Sequence, residues 1–436
     1  MEKPMTAPLK IGIAGLGNVG ASVFQLLADN GQLLLDRTGR DIRVTAVSAR
    51  NKLKNRSIDV SKVTWYDNPL DVANDPEVDV VVELIGGADG TAHELMKRAL
   101  ELGKPVVTAN KALLGKRSAE ILSLLKKSKG SVSFEAAVAG GIPIIKGLRE
   151  GLAANRIKAV FGILNGTCNF ILSEMTHTGR AFGDVLKEAQ EKGYAEADPT
   201  FDIDGIDASH KLSILAGLAF GCVPDLDHID IKGIRKITSL DITFADELGY
   251  RIKLLGIARQ TPKGIEQSVE PCLVPKNSPI AAVEGALNAV YVDGDYVGKA
   301  LFMGFGAGGN PTASAVVSDI VDVARGRALP LMGMDPAKVG LLKAANIRER
   351  IGSYYFRLMV LDQPGVIADI SAILRDHKVS LESVLQRGRN PEQAVPVILT
   401  THETTEDSIQ QVAAKIGQLK SVVEPPYLMR IEEFKT

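Results

Sequence analysis

Hydrophobic positions in the first third of the chain alternate between two rhythms. Residues 9–14 form a short apolar run that ends in glycines, and residues 19–28 have helical spacing. Residues 42–49 then read as a strand. Residues 78–85 (VDVVVELI) are apolar on both faces, 93–102 are helical and 105–108 strand-like. An amphipathic helix is predicted over 111–127 and a further strand over 131–138. Strands buried on both faces and alternating with helices predict a parallel, doubly wound α/β sheet.

The middle third changes rhythm. A strand is predicted over 157–164, a long helix over 205–220 and another over 240–249. Strand-like runs follow at 252–258, 267–274, 287–292 and 296–303. Helices beside a block of strands suggest an α+β unit with a mixed or antiparallel sheet. The glycine-dense stretch GFGAGGNP at 304–311 leads into helical spacing over 312–326, and residues 328–350 are rich in Pro, Gly and charge, as a linker would be. Beyond it, strand, helix, strand, strand, helix and strand are predicted at 354–361, 366–377, 379–386, 395–402, 408–420 and 422–430. That is the βαββαβ order of a ferredoxin-like domain.

Composition narrows the function. A length of 436 residues suits about three domains. With 51 Lys+Arg against 52 Asp+Glu the formal charge is −1, which argues against a nucleic-acid binder. The longest apolar stretch, 212–223, is too short for a membrane span. Residues 1–10 lack the apolar core of a secretory signal, and residues 1–8 are expected to be disordered. Cys168, Cys222 and Cys272 form no CxxC pair, so neither a zinc ribbon nor a disulfide scaffold is supported, and a reducing cytoplasm is expected.

Candidate chemistry starts at Gly15, Leu16, Gly17, Asn18, Val19 and Gly20, a G-x-G-x-x-G that follows a strand and opens a helix. In that context it reads as a dinucleotide loop. The first Gly serves the tight turn, the second lets backbone approach a pyrophosphate, and the third lets helix and strand pack closely. A plain tight turn is the alternative. The second strand ends in Ser48, Ala49 and Arg50, without the acid that holds a ribose 2′-hydroxyl in NAD sites. Arg50 suits a 2′-phosphate and favours NADP over NAD, unless Arg50 and Lys52 are simply solvated. Further on, GYAEADPTFDIDGIDASHK at 193–211 gathers Glu196, Asp198, Asp202, Asp204, Asp207 and Lys211. Asp207 and Lys211 share one helix face at i,i+4. They read either as a surface ion pair or as a proton donor with its partner at the mouth of an apolar helix. The acid spacing does not fit a calcium loop.

These stretches together carry a resemblance. TANKALL at 108–114, EAAVAGGIPII at 135–145, LNGTCNFIL at 164–172, GYAEADP at 193–199, DIDGIDASHKLSILA at 202–216 and GAGGNPTASAVVSD at 306–319 follow the glycine loop in order. The chain resembles the homoserine dehydrogenase family in its form with a C-terminal ACT domain, whose signature the run at 361–370 (LDQPGVIADI) matches. A kinase-like segment before the cofactor domain, as in the fused aspartokinase form, is not expected.

The resemblance implies a Rossmann-type NAD(P)-binding domain over 1–140 plus 306–330 and an α+β catalytic and dimerisation domain over 141–305. A linker over 331–351 and an ACT regulatory domain over 352–436 complete it. It implies reversible reduction of L-aspartate 4-semialdehyde to L-homoserine, with Lys211 transferring the proton and Asp207 as its partner and a substrate contact. Glu196 and Gly193 would bind substrate, Lys111 would lie beside nicotinamide and substrate, and Gly308 would return the chain to the cofactor. Glu135, with the carbonyls of Val138, Gly140 and Ile142, matches a monovalent-cation site, usually sodium. L-Threonine at the ACT loop is the implied effector, and a homodimer or homotetramer the implied assembly. Two rivals stay open on the residues alone. One is an acylating semialdehyde dehydrogenase with Cys168 as nucleophile and His177 as base. The other is a non-catalytic amino-acid sensor built on the ACT unit.

Overall fold

The structure is a computed structural model that describes residues 7–387 and 393–434, so the first six residues of the arm expected to be disordered lie outside it. The chain forms two compact units. One contains residues 1–166, 209–229 and 287–343, the other 167–208, 230–286 and 344–436. This division cuts across the expected 141–305 domain, and the boundary falls within the helix Ile206–Phe220.

The first unit holds a six-stranded, all-parallel sheet. Its order is Thr64–Tyr66, Ile42–Ser48, Leu9–Ala14, Val80–Glu83, Val106–Thr108, Val132–Ser133. This is the doubly wound 3-2-1-4-5-6 order, with its reversal beside the first strand. Ile11, Ile13, Val80 and Val82 are fully buried, as two-sided strands require. Helix Gly309–Ala324 packs against the first helix, Asn18–Asp29, through Ala313, Val316, Val317 and Ile320 with Val23 and Leu27. Residues after 306 therefore return to the cofactor body. A three-stranded antiparallel sheet (Ile157–Ile163, Leu287–Gly294, Gly298–Phe305) completes this unit.

The strand expected over 131–138 is shorter. Only Val132–Ser133 pair, and Glu135–Ala137 make a 3₁₀ turn, because the Glu135 amide donates to Asp319 Oδ2 (2.8 Å) instead of continuing the ladder.

In the second unit a mixed sheet runs in the order Tyr250–Thr261, Gly264–Pro275, Tyr427–Ile431, Ile351–Leu361, Ala394–Thr401, Leu381–Gln386. The last four strands with helices Val366–Asp376 and Glu406–Ile416 form the ferredoxin-like βαββαβ module around Tyr354, Phe356, Leu358, Ile370, Val397 and Ile409. The expected linker is partly tied into structure. Gly340 bridges Cys222 in the first unit and Ala344 bridges Ile265 in the second.

Candidate active site

The glycine loop is built by close approach. Gly15 has φ +107°, and a Cβ there would lie 2.4 Å from the Leu84 carbonyl oxygen. A Cβ on Gly20 would lie 2.0 Å from Gly15 O, so only hydrogen fits where helix meets strand. A Cβ on Gly17 meets nothing within 4 Å. Gly17 caps helix Asn18–Asp29 with no side chain to bond its first-turn amides. A cleft of ≈ 480 Å³ opens there, lined by Gly15, Leu16, Gly17, Arg50, Lys54 and Arg56 among others. A helix start without a capping side chain, beside Arg50, Lys54 and Arg56, fits a pyrophosphate and a phosphorylated ribose.

Sequence reasoning overlooked two supports of this cleft. Arg56 donates to the carbonyls of Leu16 (2.9 Å), Lys54 (2.8 Å) and Asn51 (2.6 Å), tying the 51–54 loop to the glycine loop, and its guanidinium lies 5.7 Å from the centre of the Trp65 ring. Glu83, fully buried, accepts from the amides of Ile85 (2.8 Å) and Gly86 (3.1 Å) and from the Thr108 hydroxyl (2.6 Å). Thr108 Oγ1 accepts from Asn110 N (3.0 Å). Asn110 in turn donates to Gly87 O (2.7 Å) and caps helix Lys111–Leu125 through Leu113 N (3.0 Å). This chain of bonds fixes the ends of two neighbouring strands and sets Lys111 at the first position of its helix. VDVVVELI contains a signal after all, in Glu83, the acid that closes the otherwise apolar strand Val80–Glu83.

Gly308 has φ +128° and precedes helix Gly309–Ala324, and a Cβ on Gly309 would lie 2.8 Å from Ser22 Oγ on the first helix. Gly140 N donates to Gly306 O (2.8 Å) and Gly141 N to Phe305 O (2.9 Å), bringing the two glycine-rich segments together.

Lys211 is 8% exposed, and its Nζ donates to Leu164 O (2.7 Å) at the end of strand Ile157–Ile163. Asp207, 5% exposed, stands one turn earlier on helix Ile206–Phe220. Gly193 (φ +74°) ends helix Phe182–Glu191 in the left-handed conformation, and Glu196 beyond it is exposed. Gln190 donates to the Glu196 carbonyl (3.0 Å), which steadies that loop.

Glu135 is buried. Its two carboxylate oxygens accept from Ile145 N (2.9 Å) and Lys146 N (2.8 Å). Burial and the Asp319 carboxylate push it up to about 7, against those two amides and the Lys146 ammonium. Burial likewise lifts Asp319 to about 6, against Lys146. A nearby monovalent cation would offset this concentration of buried acid, and the carbonyls of Val138, Gly140 and Ile142 are hard oxygen donors of the right kind. Among the described residues no cluster of three His, Cys, Asp or Glu side chains could hold a metal, so such an ion would rest mainly on main-chain oxygens.

The cysteine rival does not assemble. Cys168 is buried with its thiol on Asp202 O (3.2 Å), whereas His177 pairs with Glu284 (3.0 Å). Nine helical residues separate the two by roughly 13 Å of rise.

An open dinucleotide cleft and a buried lysine at a strand end, carried on one body, define an NAD(P)-dependent dehydrogenase. Comparison with known proteins makes the class particular. The homoserine dehydrogenase NAD binding domain matches residues 15–135, the homoserine dehydrogenase catalytic family 143–321, and the ACT domain 354–421. The homoserine dehydrogenase of Neisseria gonorrhoeae is 47% identical, covering 98% of this chain and 99% of its own, and that of Pseudomonas aeruginosa is 47% identical with the same coverage. A crystal structure of a homoserine dehydrogenase from Thiobacillus denitrificans superposes with a TM-score of 0.93 at 46% identity, covering 99% of this chain and 100% of that one. A hyperthermophilic archaeal homoserine dehydrogenase in complex with NADPH gives a TM-score of 0.62 at 27% identity over 73% of this chain and 97% of that one. The chain belongs to the homoserine dehydrogenase family. It is an oxidoreductase of amino-acid biosynthesis with a C-terminal ACT domain, which closes the sensor-only alternative.

Proposed function

We propose that this homoserine dehydrogenase prefers NADP and uses Lys211 as the acid and base of the reversible reduction of L-aspartate 4-semialdehyde to L-homoserine. The observation that carries the reading is the buried Lys211 ammonium, held on the Leu164 carbonyl in the unit that also contains the dinucleotide cleft. The bound nicotinamide supplies the hydride. Lys211 Nζ would give a proton to the carbonyl oxygen as negative charge grows on it during reduction. Lys111 adds positive charge nearby. Asp207 orients Lys211 and substrate, Glu196 takes the substrate's α-ammonium group, and Gly193 shapes that loop. Gly15 to Gly20 and Gly308 hold the cofactor, with Arg50 on its 2′-phosphate. Glu135, Val138, Gly140 and Ile142 would hold a sodium ion.

In the oxidative direction Lys211 would take up the proton that the homoserine hydroxyl releases. Lys211→Ala should lower kcat by about 10²–10⁴-fold with cofactor affinity intact. Near-normal turnover would overturn the assignment. Arg50→Glu should lower the NADP-to-NAD ratio of kcat/KM by about tenfold, the loss of one charge-assisted contact, and an unchanged ratio would return Arg50 to solvent.

The same proposal places 1–140 with 306–330 in the cofactor domain and 352–436 in a regulatory domain inhibited by L-threonine. A homodimer or homotetramer is supported by edge strand Gly298–Phe305, which exposes Leu301, Met303 and Phe305 along one face. A cytoplasmic location accords with three buried cysteines, none of them in a disulfide.

A further inference from the structure

We propose that a cavity in the second unit, between the ACT module and residues 231–236, is an effector site for a small zwitterion, an L-α-amino acid, separate from the loop at 361–366. The inference rests on the effector reading above. The cavity measures ≈ 450 Å³. The ACT side supplies Gln410 and Ala413 from helix Glu406–Ile416 and Pro426, Tyr427 and Leu428 at the last strand. The other side supplies Ile231, Lys232, Arg235 and Lys236, with Asp204 and Glu270.

The lining selects the ligand. Its cations and carboxylates are already matched: Arg235 with Asp204 (2.5 Å), and Lys232 with Glu270 (3.2 Å) and Asp230 (3.2 Å). A zwitterion can enter such pairs without leaving net charge uncompensated, whereas a dianion meets only the surplus of Lys236. Beneath the opening lies a buried quartet of Arg350, Glu270, Glu406 and Tyr354, reached by the partly exposed Lys232. Arg350 donates to Glu270 (2.5 Å) and Glu406 (2.8 Å), Lys232 reaches Glu406 (3.5 Å), and the Tyr354 hydroxyl donates to Glu406 (2.8 Å). Arg350 stands immediately before the first ACT strand and Glu406 opens the ACT helix Glu406–Ile416, so the quartet joins the module to strand Gly264–Pro275.

The other wall leads to the chemistry. Ile234 N donates to Ile203 O (2.9 Å), and a Cβ on Gly233 would lie 2.3 Å from that oxygen and 2.5 Å from Asp204 Cα. Gly205 (φ +84°) is pressed less closely, its Cβ position 3.0 Å from Val269 and 3.2 Å from Ile231. Asp204 lines the cavity and Asp207 follows three residues later at the start of the catalytic helix. A ligand that draws Arg235 from Asp204 acts on that turn, so the inhibition should raise KM for the amino-acid substrate more than it lowers kcat.

The test is calorimetry and inhibition kinetics on the full chain, with L-threonine first and then the other protein L-amino acids. Gln410→Trp fills the cavity from an exposed position and Lys236→Ala removes its surplus charge, while Asp362→Ala alters the loop. The expected result is a rise of about tenfold or more in Kd and Ki for both cavity variants, about 1.4 kcal/mol, with basal kcat and KM unchanged and Asp362→Ala near wild type. Inhibition kept by both cavity variants and lost in Asp362→Ala overturns the site and leaves the effector reading standing. Binding that the cavity variants abolish, without inhibition in the wild type, keeps the site and overturns the effector reading. No binding by any amino acid overturns both.

Discussion

Among the described residues two lysines are at least nine-tenths buried, Lys211 in one unit and Lys253 in the other. Both ammonium groups donate to a main-chain carbonyl, Lys211 to Leu164 (2.7 Å) and Lys253 to Val283 (2.6 Å), and Lys253 also reaches Asn169 Oδ1 (3.2 Å). Burial and a carbonyl cap therefore do not by themselves mark a proton donor. Position does. Lys211 projects from the first turns of a helix, one turn after Asp207, toward the end of a strand in the body that carries the cofactor cleft. Lys253 lies inside strand Tyr250–Thr261, paired on one side along its whole length with Gly264–Pro275. On the proposed reading the first lysine meets the substrate, whereas the second weighs on folding.

The comparison breaks if Lys253 proves catalytic, so the larger prediction concerns Lys253→Met. Turnover should stay within about twofold of wild type, far from the loss expected of Lys211→Ala. Stability should respond instead. Burial pushes Lys253 down to about 8 from 10.5, against the Glu284 carboxylate. Between those values the unfolded chain binds more protons at this site than the folded one, so stability rises with pH. The full span corresponds to about 3 kcal/mol, absent below pH 8 and complete only near 10.5. Tyr354 and Tyr355, whose phenols burial pushes up, act in the opposite sense above about pH 10. Burial also raises the Cys222 and Cys272 thiols, which lowers stability above about pH 9, so the reading is a difference: in urea unfolding between pH 7.5 and 10 the wild type should gain stability relative to Lys253→Met as pH rises. Parallel curves would return Lys253 to an ordinary surface-like titration.

The two lysines also differ in how far the sequence revealed them. Lys211 belongs to a contiguous motif, four residues from Asp207 at the head of an apolar run, and local spacing is what periodicity can read. Lys253 meets Asn169 across 84 residues and Val283 across 30, and no spacing rule spans such gaps. The same limit hid Arg56, whose partner Leu16 is 40 residues away, and Glu83, whose partner Thr108 is 25 away. Some helices escaped for a different reason. Gly166–Thr178 is buried on nearly every side from Thr167 to Ser173, so it presents no amphipathic stripe, and Pro69–Asn74 is too short to establish a period. The glycine loop, the parallel sheet and the βαββαβ module were legible because each repeats a short-range pattern. The division into two compact units was not, because it depends on which distant segments pack together.

A smaller experiment sharpens the contrast by altering the surroundings of Lys253 while leaving its hydrogen bonds in place. Glu284 raises the affinity of Lys253 for its proton, but its own carboxylate is half exposed and faces His177 (3.0 Å). Glu284→Gln should therefore move the Lys253 midpoint down by only a few tenths of a pH unit (about 0.3), the scale of an exposed charge acting through solvent. Salt at about 0.5 M should erase most of that difference, since screening acts on the exposed carboxylate more than on the buried amine. The midpoint would be read from NMR of the lysine ε-methylene carbons at low and high salt. A shift that survived high salt would mean that Glu284 reaches Lys253 through the protein interior, and the neighbourhood of Lys253 would then be that of a buried acid–lysine pair.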